Sequence, residues 1–152
     1  MFKHEDCPGH NKLSRLLRHR DNHLNRKYSV FVGNGGLYVP QELERGADGI
    51  MTGFAFTEML VNLYDLFFNN DKQNAEDLFD IYLPLIRHEQ QFGIGLGLRK
   101  FVLQHRGIIK SSNVRSPGPV LTENDIEEMY HLLNRLNSKL IEKGLPIPEG
   151  IN

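Results

Sequence analysis

The sequence predicts an α/β fold, a short parallel sheet followed by an all-helical region. Two observations carry this. As far as Asn70, short apolar, β-branched or aromatic runs alternate with amphipathic helical patterns, the mark of right-handed βαβ crossovers. Beyond Asn70 only helical periodicity is found. A third observation sets the scale: 152 residues, 39% of them hydrophobic, can build a real core and suit one ordinary domain or a piece of a larger one.

Met1-Phe2-Lys3 reads as the last residues of a strand. Glu5-Asp6-Cys7-Pro8-Gly9-His10 reads as a loop, because Pro8-Gly9 is a turn signal. Asn11 could cap the helix that follows, where Leu13, Leu16, Leu17 and Leu24 recur at helical spacing over roughly 12–24. Tyr28-Ser29-Val30-Phe31-Val32 is a short buried strand stopped by Gly33-Asn34-Gly35-Gly36. Pro40 opens a brief helix through about Arg45, closed by Gly46. The run 49–53 is another apolar strand, and Thr57 to Phe68 puts Met59, Leu60, Leu63, Leu66 and Phe67 on one helix face.

Three more helices follow at 75–91, 95–106 and 123–142. Residues near Asn74, and Thr122 ahead of Asp125, are start signals. Segment 110–119 is a polar loop, and 144–152 is a tail expected to be poorly ordered. Three strands make a poor sheet on their own, since parallel strands need cover on both faces and partners at their edges. The pattern therefore leads us to expect a truncated gene product or a fragment.

Composition excludes several classes. With 18 Lys+Arg against 19 Asp+Glu, the net charge of −1 gives no field for a strong polyanion binder. No run approaches the apolar length of a transmembrane helix, and the polar start is not a signal peptide. The one cysteine, Cys7, cannot form an internal disulfide, which fits a reducing cytoplasm.

The order of motifs then becomes informative. Phe2-Lys3-His4-Glu5 precedes Val30-Phe31-Val32-Gly33-Asn34-Gly35, then Gly46-Ala47-Asp48-Gly49-Ile50-Met51-Thr52. Downstream come Leu83-Pro84-Leu85, Lys100, Gly107 and Val114-Arg115-Ser116-Pro117. Together these resemble the C-terminal half of the dihydrodipicolinate synthase / N-acetylneuraminate lyase family of class I aldolases. The resemblance implies part of a (β/α)8 TIM barrel, about strands six to eight in 1–70, with a C-terminal helical extension in 71–143. It also implies a lyase or aldolase acting on a 2-keto acid, pyruvate-type or a 2-keto-3-deoxy sugar acid, with no cofactor and no metal. Family members commonly form dimers and tetramers, so a homo-oligomer is an expectation too.

By that resemblance Lys3 is the Schiff-base residue, and Gly33, Asn34 and Met51 wall the substrate pocket. The chemistry is consistent: an unprotonated amine attacks a ketone, and the resulting iminium draws electrons from the neighbouring carbon. Without the resemblance, Lys3 reads as a solvated lysine, Gly33 as a turn glycine and Met51 as core. Asn34 stands where the family often has an acid. None of Tyr28, Tyr38, Tyr64, Tyr82 or Tyr130 sits in the family's proton-relay motif. The family's first five strands have no counterpart, so the chain alone is expected to be inactive, or a non-catalytic fragment serving packing or oligomerisation.

Other constellations read as bland. His4, Cys7 and His10 lack paired zinc spacing. Gly33-Asn34-Gly35-Gly36 lacks the Lys-Ser/Thr of a phosphate loop. No strand precedes Gly93-Ile94-Gly95-Leu96-Gly97, so it reads as a helix start with close packing. The basic stretch Arg15, Arg18, His19, Arg20, His23, Arg26 and Lys27 reads as a solvated outer helix face rather than a nucleic-acid surface. We expect no nucleic-acid and no membrane partner.

Overall fold

Val30–Val32 (β2) is the middle strand of a three-stranded parallel sheet, flanked by Phe2–His4 (β1) and Gly49–Ile50 (β3). The register sets Lys3 beside Phe31 and Phe31 beside Gly49; His4, Val32 and Ile50 form the next row. The computed structural model describes residues 1–7, 9–23 and 27–151. Pro8, Leu24 and Arg26, which the sequence reading placed in a turn, a helix face and a basic stretch, lie outside the described residues, as does Asn152.

Between β1 and β2 runs His10–His23 (α1), and between β2 and β3 runs Val39–Glu44 (α2). Each βαβ unit thus has its helix where alternation predicts it. Leu13 and Leu17 of α1 are buried, as are Val30, Val32, Val39 and Leu43. The expected Asn11 cap is not formed. The helix already begins at His10, and the Leu13 N–H bonds to the Gly9 carbonyl, leaving Asn11 inside the first turn. Both strands are shorter than the sequence suggests. Tyr28 and Ser29 precede the paired residues, and Thr52 and Gly53 have left the sheet.

Thr57–Phe68 (α3) has the bounds its periodicity gives, and it buries Met59, Leu60 and Leu63. Lys72–Glu89 (α4) starts earlier than expected, because Asp71 takes the Ala75 N–H on its carbonyl and the Asn74 amide on its carboxylate. Gly95–His105 (α5) and Glu123–Lys143 (α6) follow. Thr122 caps α6 with Asp125 in a reciprocal box. No helix of the described residues is long and apolar enough to cross a membrane.

The chain divides into two compact units: Met1–Gly53 with Met59–Phe79, and Phe54–Glu58 with the residues from Asp80 on. In the first, Arg20 departs from the expected solvated face. It is buried, donating to Asp48 Oδ2 at 2.5 Å and to the Tyr28 carbonyl, while Asp48 Oδ2 also accepts from the Val30 N–H at 2.7 Å. One carboxylate therefore ties α1 to the start of β2.

In the second unit, Phe54, Phe56 and Tyr82 form an aromatic cluster with centroids 5.5–6.4 Å apart. Leu85, Ile86, Leu98, Val102, Met129, Leu133, Leu136 and Leu140 extend that core. Both backbone groups of Ala55 are held by buried charges. Its N–H donates to Glu89 Oε2 at 3.3 Å, and its carbonyl accepts from Arg106. Arg106 also meets Glu58 and the Glu149 carbonyl, and its guanidinium lies 4.4 Å from the Phe56 ring centroid. The tail is accordingly not loose: Pro148 and Ile151 are buried, and the chain at Glu149 is fastened to Arg106. The sequence signal of Pro and Gly was polar and irregular, but an arginine fork supplied the anchor.

Candidate active site

Parallel sheets expose their strand ends where loops converge, and open α/β sheets bind ligands outside the carboxyl ends of their strands. One step past the row His4, Val32 and Ile50 stand Glu5, Gly33 and Met51, at the carboxyl ends of β1, β2 and β3. The main chain holds this row together. Gly33 N–H donates to the His4 carbonyl at 3.0 Å, and Met51 N–H donates to the Val32 carbonyl at 2.8 Å. Because strand side chains alternate, Lys3 and Glu5 share a face of β1, and His4 points to the other.

The burial pattern agrees. His4 is buried with Nε2 3.1 Å from the Gly9 carbonyl, whereas Lys3 and Glu5 are partly exposed and meet at 3.2 Å, Nζ to Oε1. Gly33 is buried beneath the Glu5 side chain, and any β-carbon there would collide with it. Asn34 is half-buried in left-handed backbone at φ 48°, and its amide donates to the Asp6 carbonyl at 3.2 Å. Met51 is half-buried. The structure thus brings Lys3, Gly33 and Met51 to one sheet end, with Asn34 braced against the loop after β1.

Electrostatics extend this loop. The Lys12 ammonium, 2.6 Å from Asp6 Oδ1, holds the Asp6 carboxyl below its usual range. Burial, then the Arg45 guanidinium and His4, hold His10 below its ordinary value.

Glu5 is the residue that sequence reasoning passed over. Its signal was available: two positions after Lys3 on a strand, a side chain must lie on the lysine's face. Among the described residues no group of three or more His, Cys, Asp or Glu side chains is arranged to hold a metal ion.

No family profile matches the chain. Among curated proteins it is similar to the L-2-keto-3-deoxyarabonate dehydratase of Azospirillum brasilense, with 26% identity over 136 residues, 90% of this chain and 43% of the dehydratase. Among solved structures it is similar to dihydrodipicolinate synthase from Rhodopseudomonas palustris, with TM-score 0.83 and 47% identity over 88% of this chain and 44% of that one. A 4-hydroxy-tetrahydrodipicolinate synthase from Methylacidiphilum fumariolicum SolV shares the fold, with TM-score 0.76 and 20% identity over 93% of this chain and 46% of that one. The chain spans less than half the length of each of these proteins.

Proposed function

We propose that the chain is part of a dihydrodipicolinate synthase family protein and carries the Schiff-base end of a lyase acting on a 2-keto acid. Residues 1–70 correspond in this reading to strands six to eight of a TIM barrel, and 71–143 to its helical extension. The single exposed Cys7 suits a reducing cytoplasm.

The observation that carries the reading is the Lys3–Glu5 pair at the carboxyl end of β1. Nucleophilic attack needs the neutral amine, so the ammonium must first give up a proton, and the Glu5 carboxylate 3.2 Å away is the acceptor at hand. Lys3 Nζ then adds to the ketone carbon. The proton held by Glu5 passes to the carbinolamine hydroxyl, which leaves as water to give an iminium and restores the Glu5 carboxylate. That cation acidifies the adjacent carbon. Glu5, on the same face, is placed to take a proton from it, and the electron pair is stored as an enamine. Expulsion of a β-hydroxyl, protonated by Glu5 as it leaves as water, gives a dehydrated iminium, whereas attack of the enamine on an aldehyde, whose oxygen takes the Glu5 proton, gives an aldol iminium. Hydrolysis of either frees the product and Lys3. The dehydratase relative favours the first outcome.

Gly33 leaves room for substrate beside the backbone, and Met51 supplies an apolar wall. The test is intact-mass analysis after incubation with pyruvate and borohydride, with peptide mapping. A reduced pyruvyl adduct on Lys3, absent from Lys3→Arg, is expected. An adduct scattered over surface lysines, or none, overturns the proposal. Because the chain spans under half of its relatives, steady turnover by the chain alone is expected to be little or none.

A further inference from the structure

His19 and His23 stand one turn apart on α1, and their rings lie 5.0 Å between centroids with planes at 78°. Both are exposed, and both line a groove of about 1310 Å³ beside α1. Positions four apart share a helix face, so the two imidazoles project into the same space without any change of backbone. Two imidazole nitrogens bound to one ion at about 2.0–2.1 Å with a near-tetrahedral angle put the ring centroids about 5 Å apart. The observed spacing, which edge-to-face ring packing also gives, leaves room for such a chelate, and this i, i+4 arrangement is the one by which helices present two histidines to zinc.

From this we propose that His19 and His23 form a two-histidine site for a divalent transition-metal ion of the imidazole-preferring class, nickel, copper or zinc. Water fills the remaining coordination positions. The site lies on the outer face of α1 and is separate from the lysine chemistry, so it stands or falls independently of the proposed function.

Arg15 and Arg18 line the same groove. Their charges repel a dication, which keeps the affinity modest and gives it an unusual sign: salt screens the repulsion, so binding tightens as ionic strength rises. A site built on carboxylates would weaken instead.

Nickel is the suitable probe, since copper(II) would also oxidise the exposed Cys7 thiol. Calorimetric titration of the whole chain is expected to show one nickel ion per chain. His19→Ala or His23→Ala should each weaken it about tenfold or more, because the second imidazole acts at high effective concentration once the first has bound. The exposed His131→Ala should change nothing. Nickel should also raise the thermal midpoint of the parent but not of either variant, since the chelate exists only in the folded helix. Far-UV dichroism establishes that the variants fold, and His19→Gln provides a second, similarly sized substitution. Unchanged nickel affinity in both single variants, or no nickel binding by the parent, overturns the proposal.

Discussion

Glu5 lies across Gly33: a β-carbon added at Gly33 would come within 2.5 Å of Glu5 Cγ, while the end of the same side chain meets Lys3 Nζ at 3.2 Å. The glycine therefore sets where the carboxylate sits, and the carboxylate sets what the lysine meets. Gly33→Ala should push Glu5 aside. The side chain is half exposed and can move, and a pair so exposed contributes at most about 1 kcal/mol. The expected result is an unfolding free energy in urea changed by less than about 1 kcal/mol, with a clear fall in borohydride-trapped adduct at Lys3. Equal adduct yields would show that Glu5 does not govern the lysine.

Lys3→Ala should leave stability within about 0.5 kcal/mol of the parent, because its ion pair with Glu5 is partly solvated. Thermal melts in parallel check this. A large loss would mean that Lys3 is structural.

Glu89 makes stability depend on pH. Burial is the largest influence on it and pushes its carboxyl from an ordinary 4.5 up to about 7, against the opposing pull of Arg99. The folded chain therefore binds this proton more tightly than the unfolded chain. Its contribution is complete below about pH 4.5 and is lost as pH rises through about 7, on the order of 3 kcal/mol at full extent. Glu42, likewise buried and raised to about 7, titrates in the same window. His10, held low, pulls the other way, so the informative quantity is a difference between proteins. Relative to the parent, Glu89→Gln should lose less stability between pH 5 and pH 8 in urea unfolding. Parallel pH profiles would refute the assignment.

Arg106→Lys should cost about 2–3 kcal/mol, because an ammonium cannot serve the Ala55 carbonyl, Glu58 and the Glu149 carbonyl together. The segment after Gly144 should then be cut sooner in limited proteolysis. A cleavage rate equal to the parent's would show that other contacts hold it.

Much of this fold is legible in the letters. α3 follows from its leucine and methionine spacing, and α6 from Thr122 with Asp125. The alternation through Asn70 yields the parallel sheet. What resists reading is burial of charge. Glu42, Glu89, Arg20 and Arg106 belong to residue types that are mostly solvated, and only their partners in space reveal them. Asp48 and Ala55, the atoms that receive Arg20 and Arg106, lie 28 and 51 positions away along the chain. The candidate site was readable only in part for a related reason. Lys3, Gly33, Asn34 and Met51 came from resemblance to a family pattern, whereas Glu5 required the strand's two-residue alternation to be applied beyond the motif.

Among the described residues, β1 pairs with β2 alone, and it is pinned from behind by the His4 contact with Gly9. So small a fastening can breathe without the helices melting, since parts of a fold open at their own free energies. Amide exchange at Phe2 and Gly33, whose N–H groups bridge these strands, should then be faster than at Val32. Exchange at those two amides would report on the hinge of one strand rather than on the endurance of the whole molecule.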